Sequence, residues 1–202
     1  ILLIVVAVTE FPRCKPLAAD SNESKATIGE TLRYLAGNGR FKAGIVAQFL
    51  YVGMQTAVWS FTIRLALQLD PALNERVASN YMIWAFIGFF VGKFIANILM
   101  TKFNENKVLI VYSILGVLAL LYVINVHNMS AVWAAIFTSA LFGPCWATIY
   151  ARTLDTIEDK RHTETGGAVI VMSIIGGAVI PVIQGFVSDH TGSMQTAFVV
   201  SL

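Results

Sequence analysis

The segment VLIVYSILGVLALLYVINV, residues 108–126, decides what kind of fold this sequence adopts. It holds no Asp, Glu, Lys, Arg or His. A bilayer core ~30 Å thick needs about 20 apolar residues at a rise of about 1.5 Å each, and this stretch supplies them. Working outward, 44–69, 79–100, 131–151 and 166–187 have the same length and purity, broken by charge only at Arg64 and Lys93. Two shorter apolar segments, 1–8 and 193–202, read as truncated ends of further helices, so the sequence reads as a piece of a longer chain. Residues 1–8 lack the charged start and small-residue cleavage site of a signal peptide. The whole is 56% hydrophobic and 13% charged, about half the charge of a typical soluble domain. The expected fold is an all-α membrane protein.

Basic residues orient it. Arg13, Lys15, Lys25, Arg33, Arg40 and Lys42 lie in the loop 9–43; Lys102, Lys107, Arg152, Lys160 and Arg161 lie in loops on that same side. The opposite loops hold only Arg76. Cytoplasmic loops carry the excess of Lys and Arg, so 9–43 is expected to be a central cytoplasmic loop. Its residues 28–35 are suited to a short amphipathic helix on the membrane surface. Residues 44–202 then form a bundle of six helices, the last truncated. A long inner loop between bundles with short loops elsewhere is the organisation of two-halved secondary transporters.

Several sequences inside the spans are more specific. AQFLYVGMQTAVWSFTIR (47–64), SNY (79–81), FFVGKF (89–94), KFNENKVL (102–109), IVMSIIGGA (170–178) and PVIQGFVSD (181–189) together resemble the C-terminal half of the L-fucose permeases, within the major facilitator superfamily. The resemblance runs in order over nearly all of 44–189. It implies one six-helix half of a twelve-helix transporter in a bacterial cytoplasmic membrane. The expected activity is proton symport of a monosaccharide, L-fucose first, by alternating access. Glucose, galactose or another hexose is the alternative substrate, and a non-transporting sugar sensor on the same scaffold is the alternative activity. The expected partners are the sugar, the bilayer and a preceding half of the same chain that carries the coupling carboxylates; the coupling ion is the proton and no other cofactor is expected. The sequence departs from the family in having Lys93 where Arg is usual after the glycine, and Trp146-Ala147 where Tyr-Pro is usual.

The residues themselves point to a polar cavity. At 100° per residue, Gln48, Gln55, Trp59 and Thr62 fall within a sector of about 60°. Amides and hydroxyls suit the edge of a sugar ring and an indole suits its C–H face; the same stripe also suits hydrogen bonding between helices. Ser139, Trp146 and Thr153 recur every seven residues, with Tyr150 one turn beyond Trp146. Gly143-Pro144 is expected to break the helix beside Trp146, since proline removes a donor and frees a carbonyl. Trp146 also occupies the position of the family's aromatic cavity residue. Gln184 shares a face with Ser173 and is a further candidate. Lys93 lies ~12 Å from the cytoplasmic end of its span, a depth at which charge is costly and by default functional. Asn97 is one turn away. Gly177, Pro181 and Gly185, spaced by four, are expected to permit close helix approach.

The same inventory argues against other classes. None of the 12 acidic residues falls in a full span. His127, His162 and His190 read as loop residues, and Cys14 and Cys145 are too distant to pair. No metal-ligand cluster, nucleophile–base pair or phosphate loop is evident, so catalysis is not expected. The net charge of +2 gives no reason to expect a nucleic-acid partner. The orientation can be checked by labelling: Asn128→Cys should react with an impermeant thiol reagent in right-side-out vesicles while Cys14 stays protected. The opposite pattern inverts the topology.

Overall fold

The structure, a computed structural model, describes residues 26–202. The segment 1–8, Cys14 and the first part of the loop 9–43 lie outside the described residues. The described chain is helical: α1 (Ile28–Gly37), α2 (Gly39–Leu69), α3 (Glu75–Lys102), α4 (Glu105–Asn125), α5 (Ser130–Leu141), α6 (Cys145–Leu154), α7 (Thr163–Met172), α8 (Gly176–Thr191) and α9 (Met194–Ala197). Short 3-10 turns precede α7 (Lys160–His162), join α7 to α8 (Ser173–Ile175) and follow α9 (Phe198–Ser201).

Asparagines start three of the long helices. The Asn38 side chain accepts from the backbone N–H groups of Arg40 and Phe41, Asn74 from Val77 and Asn104 from Asn106. Such caps satisfy donors that a helix start leaves open. They explain why α2, α3 and α4 begin ahead of the apolar boundaries at 44, 79 and 108. Hydropathy marks the hydrocarbon-spanning part, whereas the cap marks where the helix begins.

Four segments are long and apolar enough to cross a bilayer: Glu75–Lys102, Glu105–Asn125, Ser130–Leu154 and Lys160–Thr191. The helix α2, expected as a span equal to these, is not among them. Its 31 residues suffice in length, but Gln48, Gln55, Thr56, Ser60, Thr62 and Arg64 dilute its apolar content. These polar residues are affordable because α2 is the central helix of the bundle. It packs on α8 above all, and on α6, α3 and α5. By contrast, α3 and α4 turn long apolar faces outward, including Ile83, Phe90, Ile98, Ile110 and Leu118.

The α2–α8 crossing brings backbone onto backbone. A Cβ at Gly176 would overlap the Phe49 carbonyl, and one at Gly53 would overlap Ile180 and approach Gly176. The expected spacing of Gly177, Pro181 and Gly185 is therefore not where approach is tightest. At Gly185 a Cβ would meet only Phe61, at an ordinary 3.7 Å, and Gly177 faces the Thr56 hydroxyl at 3.0 Å. The close contact sits one residue earlier because the 3-10 turn Ser173–Ile175 rotates the start of α8. Pro181 lies within α8 without ending it.

Loops of like side collect at one end. Arg152, closing α6, pairs with Glu105, opening α4, at 3.2 Å. At that end α1 is fastened rather than loose. The Thr31 hydroxyl hydrogen-bonds His162 Nδ1 at 2.8 Å, Tyr34 stacks on the imidazole at 4.4 Å, and Asn38 Nδ2 donates to the Thr156 carbonyl at 2.8 Å. Leu35, Phe41, Ile157 and Ile170 form the apolar cluster beneath. His162, expected in a loop, is 3% exposed. Beside it, hydrogen bonds from Arg161 hold the Asp159 carboxyl down at about 2. His190 also departs from expectation: it closes α8 and stacks on Phe186. At the other end, Gln68 accepts from Met194 N–H at 2.8 Å and donates to the Gly192 carbonyl at 3.3 Å. Gly192 ends α8 at φ 66°, a left-handed position that suits glycine.

Gly176→Ala should lower stability by about 1–3 kcal/mol, the usual cost of overpacking, while Gly185→Ala should change it little. Thermal unfolding of the purified variants in detergent reads the difference. Equal melting temperatures for the two would show that the Gly176 contact yields without cost.

Candidate functional site

The expected break in the fourth span is present, as the turn Phe142–Pro144 between α5 and α6. Pro144 has no N–H, which leaves the Ala140 carbonyl without its usual helical donor. Helix α3 covers it. A Cβ at Gly92 would overlap that carbonyl, and a Cβ at Gly143 would overlap the backbone of Lys93. The two chains are thus close enough for Cα–H···O contact, and Lys93 is set beside the turn three residues before Trp146. From the other side, Tyr51 of α2 donates its hydroxyl to the Phe142 carbonyl at 2.7 Å, and its ring meets Phe142 edge-on. Thr148 donates to the Pro144 carbonyl at 2.9 Å.

Trp146, in the first turn of α6, is 37% exposed and lies parallel to Tyr150, with centroids 5.5 Å apart and planes 6° apart. Tyr150 is half-buried, its hydroxyl close to Gly167 of α7, where a Cβ would come within 2.8 Å. Lys93 and Asn97 are both exposed, one turn apart on α3. Among the described residues no hydrogen bond or ion pair is recorded for either, and none joins them. Phe90 and Phe94 flank Lys93 and meet edge to face at 4.8 Å. Docking of α3 on the α5–α6 break therefore sets the Lys93 backbone against Gly143, three residues before Trp146 and its partner Tyr150.

The polar stripe of α2 is distributed differently. Trp59 is half-buried; its indole N–H donates to the Ser139 hydroxyl at 3.2 Å and its ring lies edge-on to Phe86 and Phe89. Thr62 is buried and donates to the Val58 carbonyl of its own helix. Gln48 is fully buried, with neither amide atom partnered among the described residues. Gln184 is also fully buried; its Oε1 accepts from Ser201 at 2.7 Å while its Nε2 has no partner. Gln55 is half-buried. Most of the stripe faces neighbouring helices, and only part of it is open.

Hollows among the described residues lie away from these side chains. One of about 390 Å³ is lined by α2, α4, α5, α6, Ile180 of α8 and residues 200–202, with Tyr51, Tyr112 and Cys145 in its wall. The other, about 320 Å³, is bounded by Ser60, Phe61, Arg64, Pro181, Val182 and Gly185, with the Arg64 guanidinium 5.5 Å over the Phe61 ring. No group of His, Cys, Asp or Glu among the described residues is placed to hold a metal. Sequence reasoning missed Tyr51 and Gly92, and placed Ser139 on the Trp146 stripe without foreseeing its bond to Trp59. A glycine directly before the intramembrane Lys93 was the one visible signal, since small residues mark close approach.

The bundle has a proline-broken helix that carries an aromatic pair, with the backbone of Lys93 set against the break. The chain belongs to the Major Facilitator Superfamily, whose family model matches residues 27–202. It is similar to the L-fucose-proton symporter of Escherichia coli (strain K12), with 30% identity over 98% of this chain and 44% of that protein. It is also similar to the L-fucose-proton symporter of Haemophilus influenzae, 28% identical over 94% of this chain and 42% of the relative. The glucose/galactose transporter of Brucella abortus is 25% identical over all of this chain and 47% of the relative. Among solved structures, the transporter FucP in its outward conformation superposes with a TM-score of 0.86 at 30% identity, covering 99% of this chain and 48% of that one. The chain spans about half the length of the curated relatives it matches.

If the Trp59–Ser139 bond matters to packing, Trp59→Phe and Ser139→Ala should each cost about 0.5–1.5 kcal/mol. The double variant should cost less than the sum. Unfolding of all three in detergent measures the coupling, and strict additivity would mean the bond contributes nothing.

Proposed function

We propose that this chain forms the C-terminal half of a proton-coupled monosaccharide transporter of the bacterial cytoplasmic membrane, with L-fucose as first substrate. The observation that carries the reading is the parallel Trp146–Tyr150 pair, with Trp146 exposed, at the broken helix against which the Lys93 backbone packs. A flat aromatic surface offers dispersion contact to the C–H face of a sugar. The cation and the amide of Asn97 on α3 offer hydrogen bonds to its hydroxyls. On α2, Gln55 and Trp59 are the half-buried members of the polar stripe and the further candidates for contact with the sugar, whereas Gln48 and Gln184 are fully buried. The basic ends of α3 and α6 face the cytoplasm.

Substrate then binds between this half and a preceding half, and rocking of the two alternates access. A symporter must load and release a proton, and an intramembrane carboxylate is the usual carrier because burial raises its pKa toward neutrality. The apolar stretches 44–69, 79–100, 108–126, 131–151 and 166–187 carry none. The carrier belongs to the other half, and Lys93 biases its titration as a nearby positive charge. The similarity to glucose/galactose transporters supports a hexose such as galactose as the second substrate reading.

In the full-length protein, Trp146→Ala should weaken sugar binding by about 1–3 kcal/mol, by analogy with aromatic stacking on bases, and Trp146→Phe should keep most of the affinity. Competition among unlabelled sugars in an uptake assay ranks the substrates, and unchanged affinity in the alanine variant would remove Trp146 from the site. Lys93→Met should shift the pH dependence of proton-driven uptake more than it slows sugar exchange at equilibrium. Parallel losses in both assays would place Lys93 in sugar binding instead.

A further inference from the structure

Tyr51 belongs to none of the residues assigned above to the sugar, yet it holds the element that presents them. Its side chain is 7% exposed on α2, the central helix. Its hydroxyl reaches the Phe142 carbonyl at 2.7 Å, inside the turn that separates α5 from α6. That carbonyl also accepts from the Cys145 N–H at 3.2 Å, so it sits at the pivot between the last turn of α5 and the first turn of α6. The other polar side chains bonded at the break, Cys145 to Leu141 and Thr148 to Pro144, are α6 residues reaching back one turn. Tyr51 is different, because its bond ties the break to a separate helix. The Tyr51 and Phe142 rings meet at 85° with centroids 6.2 Å apart, which fixes the direction of approach as well as the distance.

Two consequences follow from this placement. Trp146 lies four residues after Phe142, one helical turn, so a change in the angle of α6 at the pivot displaces the indole directly. Lys93 leans on Gly143, the residue next to the tethered carbonyl, so the same movement alters how Lys93 and Trp146 face each other. We propose that Tyr51 is a positioning residue of the sugar site: by holding the Phe142 carbonyl it sets the angle of α6, and with it the relative placement of Trp146 and Lys93. This rests on the transporter reading above. In hydrocarbon the tether has no water to replace it, so loss of one hydroxyl frees the pivot without removing the ring that fills the space.

The test uses the full-length protein in proteoliposomes, with L-fucose and D-galactose as probes in equilibrium exchange. Amide hydrogen exchange of the sugar-free protein is measured in parallel. Tyr51→Phe should raise the half-saturation concentration about 5- to 10-fold with the maximal exchange rate within about twofold. Backbone amides between Cys145 and Tyr150 should exchange at least about 10-fold faster, with those of α8 unchanged. Gly143→Ala, which disturbs the same pivot from the α3 side, should produce the same pair of effects. Raised half-saturation without faster amide exchange would overturn positioning and make the hydroxyl a direct contact. Faster exchange spread over α8 as well would make Tyr51 a general packing residue. Unchanged half-saturation in Tyr51→Phe, where Trp146→Ala raises it, would overturn the proposal and leave the transporter reading standing. If Trp146→Ala also has no effect, the sugar site falls and this inference with it.

Discussion

The Ala140 carbonyl, stripped of its helical donor by Pro144, is the constraint around which this half-unit is arranged. In a membrane a backbone acceptor must find its partner within the protein, and here the backbone of α3 comes close to it. Gly92 permits that approach because it has no Cβ, and Gly143 permits it from the opposite chain. Once α3 is seated there, the backbone of Lys93 is fixed against Gly143, beside the break.

A second backbone contact, Gly176 against Phe49, does for α8 what Gly92 does for α3. Between them the two glycine contacts leave α2 enclosed, and enclosure is what allows α2 to carry Gln48, Thr62 and Trp59 inside a membrane. Trp59 donates to Ser139 of another helix, Thr62 bonds its own turn, and Gln48 is buried with neither amide atom partnered among the described residues. Of the long helices α2, α3 and α4, the least apolar by composition is the one at the centre. Burial by neighbours substitutes for hydropathy.

The two ends of the bundle are held by different means. Polar side chains clamp one end, where Gln68 spans the Gly192 turn and Gln195 reaches the Val126 carbonyl. The other end uses an ion pair, Arg152 with Glu105, together with the docking of α1 through His162 and Thr31. The ion pair is exposed to solvent, whereas Thr31 and His162 are buried.

Long charge-free runs, the one-sided lysines and arginines, and Gly143-Pro144 determined the helical membrane fold and the position of the break, because the bilayer imposes length and polarity on each segment separately. The motif order was legible for the same reason, since it is a property of the chain in one dimension. Which polar residues face a cavity was not. Gln48, Gln55 and Trp59 lie on one side of a helical wheel, but a wheel does not say which neighbour stands on that side. Likewise Gly176 rather than Gly177 makes the closest contact because a 3-10 turn upstream rotates the helix. His162 is buried because a surface helix folds over it. Tyr51 acquires its role only when α2 and the α5–α6 turn meet. Each of these depends on contacts between residues far apart in the chain, and only the tertiary structure brings those residues together.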